Sequence, residues 1–227
     1  MSAKIPGSDY GLQGAFIGIS GVIGAGKSTL AKALGEELGM PVHYENVKDN
    51  PYLADFYRDQ AKFAFPLQIH LLNHRFKEHQ QIVWAGGGVQ DRTIYEDSVF
   101  CKMLRDAGKM DERDYRTYVG LFANMSSFMR KPTLIVYLDV QPAEALRRIK
   151  VRGRPMEAGI TLEYMEALHR AYADFVENIS RTIPVVRVDY GTFRTAGEMA
   201  RAIAREHRQL RVLRDVRWDA APSGPGQ

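Results

Sequence analysis

The chain of 227 residues has a single cysteine, Cys101, so no disulfide can close within it and a reducing compartment suits it. It lacks any apolar run approaching a membrane span, and its start lacks the hydrophobic region of a signal peptide. The stretch before residue 15 carries one basic residue, Lys4, a poor composition for an organelle transit peptide. A cytoplasmic protein is expected, ahead of a mitochondrial-matrix one, with no membrane partner. A strong excess of one charge is also missing. The 31 Lys and Arg against 27 Asp and Glu leave +4, which fits handling of polyphosphates and does not call for a nucleic-acid partner. No repeat and no linker interrupts the chain. The expected organisation is a flexible leader over 1–14, one domain over 15–217 and a disordered Pro/Gly/Ser-rich tail over 218–227.

What is present is organised around Gly21-Val22-Ile23-Gly24-Ala25-Gly26-Lys27-Ser28-Thr29. An apolar run, 15–20, precedes it and reads as a buried strand. Residues 30–38 follow, with Leu30, Leu34 and Leu38 on one helical face. The G-x-x-x-x-G-K-S pattern thus lies in the strand–loop–helix setting that a phosphate-binding loop requires. Its glycines let successive N–H groups turn toward a triphosphate, and the helix adds its positive end. Lys27 reaches the β- and γ-phosphates, and the Ser28 hydroxyl is placed to ligand Mg²⁺. The bland alternative is a chance Gly-rich turn, against which the flanking strand and helix count.

Further strands are expected over 41–45, 89–91, 133–139 and 185–189. Helices are expected from 52, over 65–84, 95–107 and 111–129, from Pro142 to before Arg152, and over 161–179 and 196–213. On the long helix the apolar face is Ile69, Leu72, Phe76 and Val83. Strands alternating with helices predict a parallel sheet covered on both faces, with its site at the strands' carboxyl ends.

Four features there carry chemistry. Glu45 ends the second strand, where a carboxylate can take a proton from an attacking hydroxyl; a surface loop acid is the bland reading. Asp91-Arg92-Thr93 ends the third, an acid suited to Mg²⁺ beside an arginine suited to a phosphoryl oxygen; a helix cap with a salt bridge is the alternative. Arg148, Arg152 and Arg154 flank a Gly/Pro break and read as a lid over the triphosphate, where a merely solvated basic loop is the commoner case. Gln68 and Arg75, seven apart, share a helix face, and the Gln amide offers both a donor and an acceptor to a base edge. His70, His74 and His79 read as ordinary helix-surface residues.

In this order, the phosphate loop, Glu45 before Asn50-Pro51-Tyr52-Leu53, Phe63-Ala64-Phe65-Pro66-Leu67-Gln68, Asp91-Arg92-Thr93-Ile94-Tyr95-Glu96-Asp97 and Arg152-Gly153-Arg154 resemble the deoxyribonucleoside kinases, most of all the deoxyadenosine/deoxyguanosine kinase branch. The resemblance spans about 16–189. It implies a five-stranded parallel sheet of thymidylate-kinase type, ATP as donor with Mg²⁺ and, usually, a homodimer. It also implies Glu45 as general base, Arg92 holding the 5′-hydroxyl and incoming phosphate, and Asp91 at Mg²⁺. Tyr57 and Glu157 would take the 3′-hydroxyl; Gln68, Arg75 and Asp97 would contact the base, between walls from Phe63 and Phe100. The chain departs from commoner family patterns at Asn46, Asp91 and Cys101. Two alternatives stay open on the residues alone: a nucleoside monophosphate kinase, and a catalytically silent subunit of this fold.

Overall fold

The computed structural model describes residues 10–45 and 49–210. The leader's first nine residues, Asn46, the end of the last expected helix and the tail lie outside the described residues.

Five strands form, β1 (Phe16–Ser20), β2 (Val42–His43), β3 (Gly88–Asp91), β4 (Leu134–Asp139) and β5 (Val185–Asp189); β1, β4 and β5 are largely apolar, and β2 keeps only two residues of the strand expected over 41–45, so Glu45 lies two positions past its end. They make one parallel sheet in the order β2-β3-β1-β4-β5. All five residues of β1 are buried, as a strand covered on both faces demands. The connections carry α1 (Lys27–Leu38), α2 (Leu53–Arg58), α3 (Gln60–Trp84), α4 (Asp97–Asp106), α5 (Glu112–Ser126), α6 (Pro142–Arg152), α7 (Leu162–Ile179) and α8 (Ala196–Leu210). α1 packs with α8, whereas α3 to α7 pack among themselves.

Register decides where the site lies. Ile19 of β1 pairs with Asp91 of β3, and Ser20 pairs with Tyr137 of β4. The turn after β3 therefore emerges beside the loop after β1, on the carboxyl edge of the central strands.

Three further expectations change. The long helix begins at Gln60, not near 65, because Asp59 caps it by accepting from the Lys62 N–H at 3.1 Å. Pro66 falls inside it. The Lys62 carbonyl that loses its donor belongs to an exposed residue, where water can serve it. Its inward stripe includes Ala64, Leu67, Leu72 and Ile82 but also Gln68, Arg75 and His79; Val83 is only half-buried. A hydrophobic reading passes over polar members of a buried face. His79 is accordingly no surface residue: at 1% exposure it donates from Nε2 to the Arg130 carbonyl at 2.7 Å and meets Phe16 edge-on. Finally, the helix expected from 95 is preceded by a 3-10 turn over Ile94–Glu96.

Gly18 of β1 is required by closeness. A Cβ there would stand 2.3 Å from Cγ2 of Thr93, the residue after Arg92. Gly18→Ala should destabilise the fold by about 1–3 kcal/mol in urea unfolding, through overpacking. Unchanged stability would mean that the turn after β3 yields freely.

Candidate active site

The phosphate loop is shaped by crowding as much as by sequence. Gly24 has φ +79, and a Cβ on it would lie 2.5 Å from the Ala145 carbonyl of α6. Val22 and Ala25 point into the core, and Gly21 is buried as well. Lys27, 7% exposed, folds back to donate from Nζ to the carbonyls of Gly21 (2.9 Å) and Val22 (2.8 Å). Burial, and next the charge of Arg92, lower its pKa to about 7 against the opposing pull of Asp91, Glu96 and Glu45.

A cavity of about 670 Å³ opens over this loop. Ile23, Gly24, Gly26, Lys27, Ser28 and Thr29 form its floor at one end. Glu45, Asp91 and Arg92 line the middle, and Gln68, Arg75 and Phe100 the far end; Tyr57, Arg152, Arg154 and Glu157 close over it.

Charges of alternating sign run through the middle. Arg75 pairs with Asp97 and donates from Nη2 to Glu45 at 2.5 Å. Arg92 donates from Nε to the other Glu45 oxygen at 3.0 Å, and from Nη1 to Glu96 at 3.4 Å. Burial alone would raise the Glu45 pKa, but Arg92, Arg75 and Lys27 together bring it down to about 2. Glu45 is thus a carboxylate, held between two guanidiniums with 21% of its side chain open to the cavity. Ser28 donates to Asp91 Oδ2, while Asp91 Oδ1 is buried without a hydrogen-bond partner among the described residues. Burial raises the Asp91 pKa.

At the far end Gln68 Oε1 and Arg75 Nε are likewise buried and unpartnered among the described residues. An acceptor and a donor there call for a ligand with both. Above them, Glu157 accepts from Arg152 at 2.5 Å and from Arg154 at 3.3 Å. Burial, with Tyr164 and Glu157 adding, raises the Tyr57 phenol.

Three expected site residues are placed elsewhere. Arg148 does not stand with the lid arginines. It lies within α6, 9% exposed, and donates to the carbonyls of Ala25, Tyr190 and Gly191 while lying on the ring of Phe193. α6 runs through Arg152 instead of stopping before it as expected, so Arg152 closes the helix and Arg154 follows its Gly153 cap; these two arginines, and not Arg148, line the cavity. Phe63 is no wall of the cavity; Leu67, Leu71 and Phe56 take that place. Asp97, fully buried, does not line it either and faces it only through Arg75. Glu96 and Tyr172, both 0% exposed and both bonded to Arg92, belong to this centre as well, though not among the expected site residues. Glu96 stands three after Thr93, the spacing of a capping box, which was its one legible signal.

A phosphate loop on a five-stranded parallel sheet, with a carboxylate–arginine centre and an arginine lid, defines a P-loop phosphotransferase. The deoxynucleoside kinase family model matches residues 17–211. A deoxyadenosine kinase of Dictyostelium discoideum is 49% identical over 228 residues, which cover 99% of this chain and 93% of that one. A deoxyadenosine/deoxycytidine kinase of Bacillus subtilis is 41% identical over 180 residues, 78% of this chain and 82% of that one. Among solved structures, a deoxyadenosine kinase from M. mycoides with bound dATP superposes with a TM-score of 0.75 at 32% identity, covering 85% of this chain and 98% of that one. The chain belongs to the deoxynucleoside kinase family. It is a nucleoside-phosphorylating enzyme with the P-loop kinase fold, as the resemblance implied.

Proposed function

We propose that the chain transfers the γ-phosphoryl group of ATP to the 5′-hydroxyl of a deoxynucleoside, with deoxyadenosine as its first substrate and deoxyguanosine or deoxycytidine next. The observation that carries this reading is the Glu45 carboxylate held between Arg75 and Arg92, at the junction of the phosphate loop and the base end of one cavity. A neutral hydroxyl suits an acid there. An acceptor already carrying a phosphate, as in a monophosphate kinase, would meet a second negative charge.

In this reading Lys27 and the loop's N–H groups hold the β- and γ-phosphates, and Arg152 and Arg154 leave Glu157 to close on them. Glu45 receives the hydroxyl proton, and Arg92 turns from Glu45 to the transferring oxygens. Tyr57 and Glu157 take the 3′-hydroxyl. The half-exposed ring of Phe193, with Arg148 on one face, would lie 2.9 Å from a Cβ on Gly26 and offers a shelf beside the loop for the donor's base. The residues fit Mg²⁺: Asp91 has a buried oxygen without a partner among the described residues, and the Ser28 hydroxyl adjoins its other oxygen. Mg²⁺ keeps most of its shell from water and substrate phosphates, so one carboxylate and one hydroxyl suffice. When bound, it neutralises charge on the β- and γ-phosphate oxygens.

Base preference follows from the far end. Gln68 Oε1 as acceptor suits an exocyclic amino group, which adenine and cytosine carry at that edge and thymine does not. The thymine methyl would in addition press on the Arg75–Asp97 pair, and covering those charges with a methyl costs free energy. The D. discoideum and B. subtilis relatives bear the names of such bases. A panel of four deoxynucleosides with ATP, with and without Mg²⁺, tests the reading: kcat/KM should be highest for deoxyadenosine, lowest for thymidine, and lost without the metal. Product only from monophosphates would overturn it. In Arg75→Met/Asp97→Ala the thymidine-to-deoxyadenosine ratio should rise. The ratio is the quantity to read, because Arg75 also holds Glu45 and its loss lowers every rate.

The buried lone Cys101 and the absence of any helix, among the described residues, long and apolar enough to cross a membrane support a cytoplasmic location. A homodimer is the family expectation. The α5 helix, where Tyr118 alone is fully buried while Val119 and Leu121 are exposed, has surface for a second copy, which light scattering would detect.

A further inference from the structure

Arg92 has two carboxylate partners on opposite sides. Glu45 faces the cavity, whereas Glu96 is 0% exposed and touches no part of it. A charge so deep is kept only where every lone pair has work. Glu96 Oε2 accepts from Ser20 Oγ at 2.9 Å, from the Tyr172 hydroxyl at 2.6 Å and from Arg92 Nη1 at 3.4 Å; Oε1 accepts from the Thr93 N–H at 3.1 Å. The Tyr172 hydroxyl in turn accepts from Arg92 Nη1 at 2.7 Å.

These partners come from three parts of the site. Ser20 is the last residue of β1, immediately before the phosphate loop. Thr93 follows Arg92. Tyr172 lies on α7, the helix that returns from the lid. Arg92 is also the one non-glycine among the described residues with positive φ, +67, a left-handed conformation that side chains rarely adopt. Its own N–H is held by the Ile19 carbonyl at 3.0 Å, and the next N–H by Glu96. One carboxylate thus pins both the strained turn and the guanidinium that the turn presents. The ring of Phe100 packs under that guanidinium, 5.2 Å from centroid to Cζ, and meets Tyr172 edge-on.

We infer that Glu96, itself held by Ser20 and acting directly and with the Tyr172 hydroxyl, is the positioning residue for Arg92: it holds the guanidinium at the transfer site while Glu45 lets go of it to take the substrate proton. The inference rests on the role proposed above for Arg92. Arg75 and Arg92 each take one Glu45 oxygen, so receiving the substrate proton competes with anchoring Arg92. A second, buried carboxylate separates the two tasks. It keeps Arg92 within reach of the transferring oxygens when the Glu45 contact is given up. Touching neither substrate, Glu96 acts only through Arg92.

The test is a double-mutant cycle in the intact enzyme with deoxyadenosine, ATP and Mg²⁺. Glu96→Gln keeps the shape and removes the charge. It should lower kcat roughly tenfold to hundredfold, as a small misplacement of a catalytic group does, with the deoxyadenosine KM changed less than about threefold. In an Arg92→Ala background the same change should have no further effect on kcat. An equal fractional loss in both backgrounds would overturn the inference and make Glu96 a plain structural acid. So would an unchanged kcat in Glu96→Gln alone. If Glu96→Gln does not fold, Tyr172→Phe removes one hydroxyl from the same cluster without touching charge; it should lower kcat severalfold alone and be silent with Arg92→Ala, and any other pattern counts against the inference. An Arg92→Ala enzyme as fast as the wild type would instead overturn the proposed role of Arg92, an outcome that the cycle reports separately.

Discussion

Replacing Glu45 by glutamine should lower kcat by roughly 10²–10⁴-fold, the usual contribution of a positioned base, and leave the nucleoside KM within a few-fold. The amide fills the same space between Arg75 and Arg92 but cannot receive a proton. With its pKa lowered to about 2 by those arginines, Glu45 is ionised throughout the working pH range, so it should add no acid limb to kcat/KM between about pH 5 and 9. Such a weak base takes the proton late, as the hydroxyl bonds to phosphorus and Arg92 turns to the phosphates. That order suits a loose transition state. The same shift has a consequence for stability. A carboxylate whose pKa falls on folding, from 4.5 to about 2, contributes stability that is fully present above pH 4.5 and lost as pH drops toward 2. Urea unfolding of the wild type should therefore weaken more steeply across that window than unfolding of Glu45→Gln. Equal kcat in the two proteins would make Glu45 a bystander, and another carboxylate would then have to be sought.

Lys27→Ala should abolish measurable turnover, a loss of roughly 10³-fold or more, while leaving the fold intact. The surroundings of the ammonium show why the two effects separate. Burial, and next the charge of Arg92, lower the pKa of the ammonium to about 7, and it donates to two carbonyls of its own loop. A buried cation so poorly compensated contributes little to folding, and its removal should leave Tm unchanged or slightly raised. With ATP bound the same ammonium would meet the β- and γ-phosphates, and the transfer loses that charge in the variant. Wild-type turnover in Lys27→Ala would sink the proposed reaction. A collapse of Tm would show the lysine to be a strut of the loop.

Local signals carried much of the site. Gly24, Gly26, Lys27 and Ser28 were legible because a phosphate loop is a contiguous pattern, whose backbone shape follows from where glycine is required. Asp91-Arg92 was legible because strand ends on one edge of a parallel sheet must converge, and the register puts Asp91 beside Ile19; Glu45 reaches the same edge two residues past the end of β2. Gln68 and Arg75 were legible from helical periodicity. Arg148 could not be told apart from the lid arginines, because a cluster of arginines in sequence does not say which are packed. Its partners Ala25, Tyr190 and Gly191 come from distant turns, and only folding brings them within reach. His79 was misread for a related reason: whether a polar residue on a helix faces inward depends on what lies opposite, here Phe16 and the Arg130 carbonyl.

The sequence by itself determined the strand–loop–helix that binds phosphate, the parallel α/β class and the set of acids and arginines at the sheet's edge, since each rests on spacing along one segment. Only the tertiary structure decided how those charges are shared. The ladder from Asp97 through Arg75, Glu45 and Arg92 to Glu96, and the meeting of Ser20, Glu96 and Tyr172, join residues up to 152 positions apart. Hydrogen bonds and ion pairs reach a few ångströms in space and have no period in sequence. Which carboxylate an arginine takes therefore remains undetermined until packing has removed the water that would otherwise serve them all.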